Sequence, residues 1–175
     1  MISRVALRNW KTHADSEFSF GKGTNVLIGP MGAGKTAVMD AICFALFGTF
    51  PALQARRVSL DEVIQNKPNE AESAEVELEF DYGGKKYKVE RKIKRRGSSE
   101  AKLYCDGTFI AGPKPRDVTS AVERAIEINY NLFSRAVYSE QNEIDYFLRL
   151  SPRAVSYPHL RAHETSLHLV CRLLL

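Results

Sequence analysis

Cysteine is scarce. Its three residues, at positions 43, 105 and 171, form no Cys-x-x-Cys pair, so neither a zinc site nor a disulfide framework is supported. An intracellular, reducing compartment is expected. No apolar run approaches the roughly 20 residues that span a bilayer, and Met1-Ile2-Ser3-Arg4 opens no secretory signal, which excludes a membrane span. Charge of one sign is also lacking. A net +4 with a pI near 9.0 permits a nucleic-acid partner without requiring one. With 44% hydrophobic and 26% charged residues, the 175-residue chain has globular composition and is long enough for one ordinary domain. Histidine is unevenly spread, with three of four beyond residue 158.

Residues 2–7 read as a first strand and Trp10 to Asp15 as a loop, followed by alternation around Phe18 and Phe20 and a turn at Gly21-Lys22-Gly23. Thr24 to Ile28 reads as a buried strand. From Lys35 to Phe47 the apolar residues follow helical spacing on one side and cover much of the other, so this helix should be buried nearly all round, with Gly48 ending it. Val76, Leu78 and Phe80 alternate with Glu75, Glu77, Glu79 and Asp81, a half-buried strand. Gly83-Gly84 then turns it into a partner over Lys85 to Ile93, and Asp106-Gly107 offers a second hairpin. Val118, Ala121, Val122, Ala125 and Ile126 mark an amphipathic helix with Asp117 as N-cap. The fold class is α/β, with a mixed sheet and antiparallel hairpins.

The chemistry concentrates in Gly29-Pro30-Met31-Gly32-Ala33-Gly34-Lys35-Thr36, which matches Gly-x-x-x-x-Gly-Lys-Ser/Thr at every fixed position and sits between a strand and a helix. Glycines let the backbone curl so that successive N–H groups face a phosphate chain, and the helix directs its positive end at them. Lys35 would reach the β- and γ-phosphates of ATP, with Met31, Gly32, Ala33, Gly34 and Ala37 around them, and the Thr36 hydroxyl would ligate Mg2+.

Flanking residues narrow the family. Leu7-Arg8-Asn9-Trp10-Lys11-Thr12-His13, together with Asp40-Ala41-Ile42 and Phe44-Ala45-Leu46-Phe47-Gly48, resembles chromosome-maintenance-type ABC ATPases. Tyr138-Ser139-Glu140-Gln141-Asn142-Glu143-Ile144-Asp145, followed by Phe147 to Pro152, resembles the Q-loop of the SbcC/Rad-fifty family, the coiled-coil ATPase partner of a double-strand-break repair nuclease. The resemblance implies the N-terminal lobe of a P-loop NTPase head over residues 1–153. It implies that Gln141 reaches the metal and the attacking water, and that Lys11 lies near the nucleotide. Gln65 and Asn66 would border it. The implied partners are a second copy joined through ATP, the repair nuclease, DNA, and the chain's own C-terminal half and coiled coil, with a cytoplasmic, nucleoid-associated location and no membrane. The family's signature motif, the Asp-Glu pair after the Walker B strand, the switch histidine and the zinc hook are missing from this sequence. A segment without them should hydrolyse ATP poorly. Another chromosome-maintenance or RecF-like recombination ATPase, a transporter subunit, and a non-catalytic nucleotide- or anion-binding module remain as alternatives.

Residues 155–175 resemble a translated sequencing adapter, so 154–175 is read as a non-native tail. Without 155–175, which holds Arg161, Arg172 and Glu164, the net charge falls from +4 to +3. The basic stretch from Lys85 to Arg96 invites a DNA-binding reading. The hairpin register opposes it, pairing Asp81 with Lys86, Glu79 with Lys88 and Glu75 with Lys92, and leaving only Lys94-Arg95-Arg96 as an unpaired tip.

Overall fold

Glutamates alternating with Val76, Leu78 and Phe80 build the centre of the fold. In the computed structural model, which describes residues 1–67, 70–136 and 138, these residues lie on β3 (Ser73–Tyr82), and Gly83-Gly84 returns the chain as β4 (Lys85–Lys94). The register matches the expectation, with Asp81 opposite Lys86, Glu77 opposite Glu90 and Glu75 opposite Lys92. β1 (Ile2–Trp10) and β2 (His13–Ser19) lie on one side of this pair. β5 (Glu100–Cys105) and β6 (Thr108–Ala111), turned by Asp106-Gly107, lie on the other. The strand order is β2-β1-β3-β4-β5-β6, and all five pairings among the described residues are antiparallel.

One face of the sheet carries Val5, Leu7, Val76, Leu78, Val89 and Leu103, all buried. Against it pack α1 (Lys35–Phe47) and α4 (Pro115–Ile126). Ten of the thirteen residues of α1 are buried, Cys43 among them, as a helix apolar on nearly every side requires. α4 buries Val118, Val122 and Ile126 of the stripe its spacing predicts, with Ala121 and Ala125 half-buried beside them. Short turns α2 (Pro51–Gln54) and α3 (Leu60–Val63) follow α1, and α5 (Tyr130–Ala136) follows α4. No helix among the described residues is long and apolar enough to cross a membrane.

Four local expectations are corrected. Trp10 to Asp15 is not a loop. β1 runs on to Trp10, Lys11 and Thr12 form a two-residue turn, and His13 pairs back across to Trp10. Thr24 to Ile28 is not a buried strand, and Val26 and Ile28 are 72% and 90% exposed. No described strand pairs with this segment, and an apolar strand without a ladder has nothing to bury against. Asp117 does not cap α4, since Lys114 holds the N-cap position and Pro115 the first turn, where its missing N–H costs nothing. The tip Lys94-Arg95-Arg96 is not unpaired. Lys94 bonds Glu100 at 3.0 Å, and Arg95 donates to Asn66 at 2.6 Å and to the Ala71 carbonyl at 3.1 Å.

The outer face is a charge lattice. Lys88 bonds not Glu79 but both Glu77 at 3.0 Å and Glu90 at 2.9 Å, so the like-charged cross-strand pair shares one cation. Glu79 goes to Arg4, which also holds Glu17 and Glu77. Burial pushes the Glu77 carboxyl up, but its bonds from Lys88 and Arg4 bring it below the usual carboxylate range. These half-exposed contacts each contribute about 0.2–1 kcal/mol.

Arg91 breaks the apolar alternation of β4 between Val89 and Ile93 and is 3% exposed. Its guanidinium donates to the Ala45 carbonyl at 2.7 Å, the Leu46 carbonyl at 3.1 Å and the Thr119 hydroxyl at 2.9 Å. α1 has no basic residue in its own last turn, so β4 supplies the charge that complements its negative end. Burial pushes the pKa of Arg91 down to about 10, which leaves it protonated at neutral pH. Gly48 ends α1 at φ 70, where a Cβ would lie 3.0 Å from Arg91 Nη1. Replacing Arg91 by Met strands the α1 carbonyls in an apolar layer and should lower stability by about 3 kcal/mol. Urea denaturation followed by Trp10 fluorescence measures this, and an unchanged midpoint would contradict it.

Candidate functional site

The site is assembled where β1, β2 and α1 meet. Trp10 is fully buried, packs at a tilt with its ring centre 5.1 Å from that of Phe44, and donates its indole N–H to the Ala37 carbonyl at 2.9 Å. It is therefore a packing residue that ties the end of β1 to the first turn of α1. His13 is likewise structural, with Nδ1 3.0 Å from the Ser16 hydroxyl and Nε2 3.1 Å from the Gly34 carbonyl. A carbonyl only accepts, so Nε2 carries the proton and donates to Gly34.

The Gly29–Thr36 loop curls with an Ala33 N–H to Pro30 carbonyl bond of 3.2 Å and with Gly32 and Gly34 at φ 83 and 88, in the left-handed region. Gly34 is the N-cap of α1, and no side chain caps that terminus. No acidic residue lies in the first turn either. The first N–H groups of a thirteen-residue buried helix thus have no side-chain acceptor, and no carboxylate competes with an anion there. Lys35 arches back over the loop, donating to the Gly29 carbonyl at 2.8 Å and the Pro30 carbonyl at 2.9 Å. Met31, Gly32, Ala33 and Thr36 are exposed, and Ala37 is buried beneath them. This arrangement presents one cation, one accessible hydroxyl and a row of backbone donors on one side of the helix end, which fits a magnesium-bound polyphosphate.

The other expected residues are placed differently. Lys11 bonds Asp40, with its ammonium 4.6 Å from the centre of the Phe50 ring, on the turn whose next residue, Thr12, abuts Gly34. Gln65 is buried beside β1, where its N–H donates to the Asn9 carbonyl at 2.8 Å. Asn66 accepts from Arg95. These bonds join Gln65 to β1 and Asn66 to the end of β4. Gln141 and the 153/154 boundary lie outside the described residues. Sequence reasoning assigned no role to Asp40 or Tyr138, although a carboxylate within the apolar run from Ala37 to Phe47 is a visible signal.

Comparison with known proteins identifies a family. The family described as an AAA domain matches residues 4–167. The chain is 35% identical over 156 residues to the DNA double-strand break repair Rad50 ATPase of Thermoplasma acidophilum, covering 87% of this chain and 16% of that protein. It is 39% identical over 153 residues to the Rad50 ATPase of Methanopyrus kandleri, covering 82% of this chain and 16% of that protein. This chain thus spans about a sixth of the length of these curated relatives. A solved structure from work on ATP-driven dimerization and DNA-stimulated activation of SMC ATPases superposes with a TM-score of 0.65 at 23% identity, covering 87% of this chain and 93% of that one. That likeness establishes a shared fold.

Gly34 has two reasons to be glycine. A Cβ there would lie 2.4 Å from Thr12 Oγ1 and 2.5 Å from His13 Nε2, in a backbone conformation L-residues rarely adopt. Thr12 can rotate away, but His13 cannot without losing its bonds to Gly34 and Ser16. Gly34→Ala should therefore cost about 2 kcal/mol and detach the imidazole. Denaturation midpoints and His13 ring resonances report both effects, and a variant unchanged in each would refute the packing argument.

Proposed function

This chain belongs to the AAA domain family, as a head segment of the SbcC/Rad50 type, and from that membership we propose that its phosphate loop binds ATP with Mg2+ in a double-strand break repair ATPase. The observation that carries this reading is the uncapped, acid-free N-terminus of α1 beneath the Lys35 ammonium. Lys35 binds the β- and γ-phosphates, the backbone of Met31 to Ala37 cradles them, and the Thr36 hydroxyl holds the metal. A metal held there would neutralise phosphate charge. Lys11, Gln65 and Asn66 border the nucleotide, and Gln141 reaches toward metal and water.

On this reading residues 1–153 are the N-terminal half of a head, and 154–175 is an adapter-derived tail. The exposed apolar segment around Val26 and Ile28 supports the need for a second half, because a further strand would give it both a ladder and cover. Walker B and signature residues come from that half, so this chain alone hydrolyses ATP poorly. The complete protein dimerises around ATP, acts with a repair nuclease on DNA, and works in the cytoplasm at the nucleoid. An SMC or RecF-like ATPase would use the same loop, but the Rad50 relatives favour the repair enzyme.

Titration with a fluorescent ATP analogue and Mg2+ tests the site. Lys35→Ala should weaken binding by about tenfold or more, and Thr36→Ala should abolish its dependence on Mg2+. Unchanged affinity in Lys35→Ala, or equal affinity for inorganic phosphate and ATP, would instead indicate a non-catalytic anion-docking module.

A further inference from the structure

Asp40 is the one acidic residue of α1, and it is 5% exposed. Both of its oxygens are used, and the donors come from distant parts of the chain. Oδ2 accepts from the Lys11 ammonium on the β1–β2 turn, and Oδ1 accepts from the Tyr138 hydroxyl at 2.6 Å. Lys11 is held a second time by the face of Phe50, and its turn packs directly on the phosphate loop through Thr12 and His13. Tyr138 is buried just beyond α5, three positions ahead of Gln141 in the sequence.

A buried carboxylate that loses one donor leans harder on the other, because its charge has no water to turn to. Lys11 is the donor that an anion in the phosphate loop would also attract. We infer that Asp40 is a positioning residue that couples occupancy of the phosphate loop to the seating of the Tyr138 side chain just beyond α5, with Lys11 as the cation shared between them. The inference rests on the loop binding ATP. When phosphate draws on Lys11, Asp40 depends more on Tyr138 and holds it more firmly. When Tyr138 is withdrawn, Asp40 keeps Lys11 from the phosphate. Linkage requires the two effects to be equal in size.

The experiment is an anisotropy titration of the 175-residue chain with a fluorescent ATP analogue and Mg2+, with thermal unfolding run in parallel. Tyr138→Phe removes only a hydroxyl that has no place among the phosphates. It should nevertheless weaken ATP binding by about fivefold, toward the low end of coupling between sites. In an Asp40→Asn background the same Tyr138→Phe change should have no further effect on ATP affinity, because the charge that linked the two donors is gone. If Asp40→Asn does not fold, Lys11→Met provides the second background, and Tyr138→Phe should again be silent there. A role confined to stability would lower the unfolding temperature and leave ATP affinity untouched. Tyr138→Phe without effect on affinity, or with the same effect in every background, overturns the inference. Wild-type chain that binds no ATP overturns the reading of the loop itself. Binding that is lost in Lys35→Ala but indifferent to Tyr138→Phe overturns the coupling alone.

Discussion

The buried guanidinium of Arg91 is the interaction on which the rest of the structure depends. A helix end leaves carbonyls without intrahelical partners, and α1 ends inside an apolar layer where water cannot reach them. Arg91, projecting from the centre of the sheet, satisfies those of Ala45 and Leu46 and joins them to Thr119 of α4. One side chain thus links β4, α1 and α4. At the opposite end of α1, which carries no side-chain cap, Trp10 donates to the Ala37 carbonyl and His13 to the Gly34 carbonyl, so these bonds hold the helix while its first N–H groups stay open. The helix is anchored at its negative end and left open at its positive end. That asymmetry makes the loop suitable for an anion.

The two faces of the sheet solve different problems. The inner face excludes water at its centre, so the charge buried there must be fully bonded, as Arg91 is. The outer face is wet, and its charges settle by geometry rather than by strict cross-strand opposition. Lys88 reaches diagonally to Glu77 and along its own strand to Glu90, and Arg4 collects three glutamates from neighbouring strands. Long flexible cations choose the position that neutralises most negative charge. For that reason much of the basic charge on this face is neutralised within the sheet, at Arg4, Lys88, Lys92 and Lys94.

Much of this was legible in the chain itself. The β3–β4 hairpin follows from alternation plus Gly83-Gly84, and every paired residue lies where that pattern requires. α1 follows from its spacing, and its end from Gly48. The phosphate loop follows from its glycines. What was not legible depended on partners distant in sequence. Thr24 to Ile28 has the composition of a strand but no described strand beside it. Trp10 to Asp15 looked polar enough for a loop, yet β1 continues because Trp10 has Phe44 and Phe50 to pack on.

The sequence by itself determined the periodicities, the turns and the loop chemistry, because each is settled by residues within a few positions of one another. Only the tertiary structure decided what the isolated charges do. Asp40, Arg91 and Lys11 are ordinary charged residues in the chain. In the fold their distances to carbonyls, to an aromatic ring and to Tyr138 give each of them a set of partners. A buried charge must be matched by whatever the fold brings to it, and that match comes from contacts up to 98 residues apart.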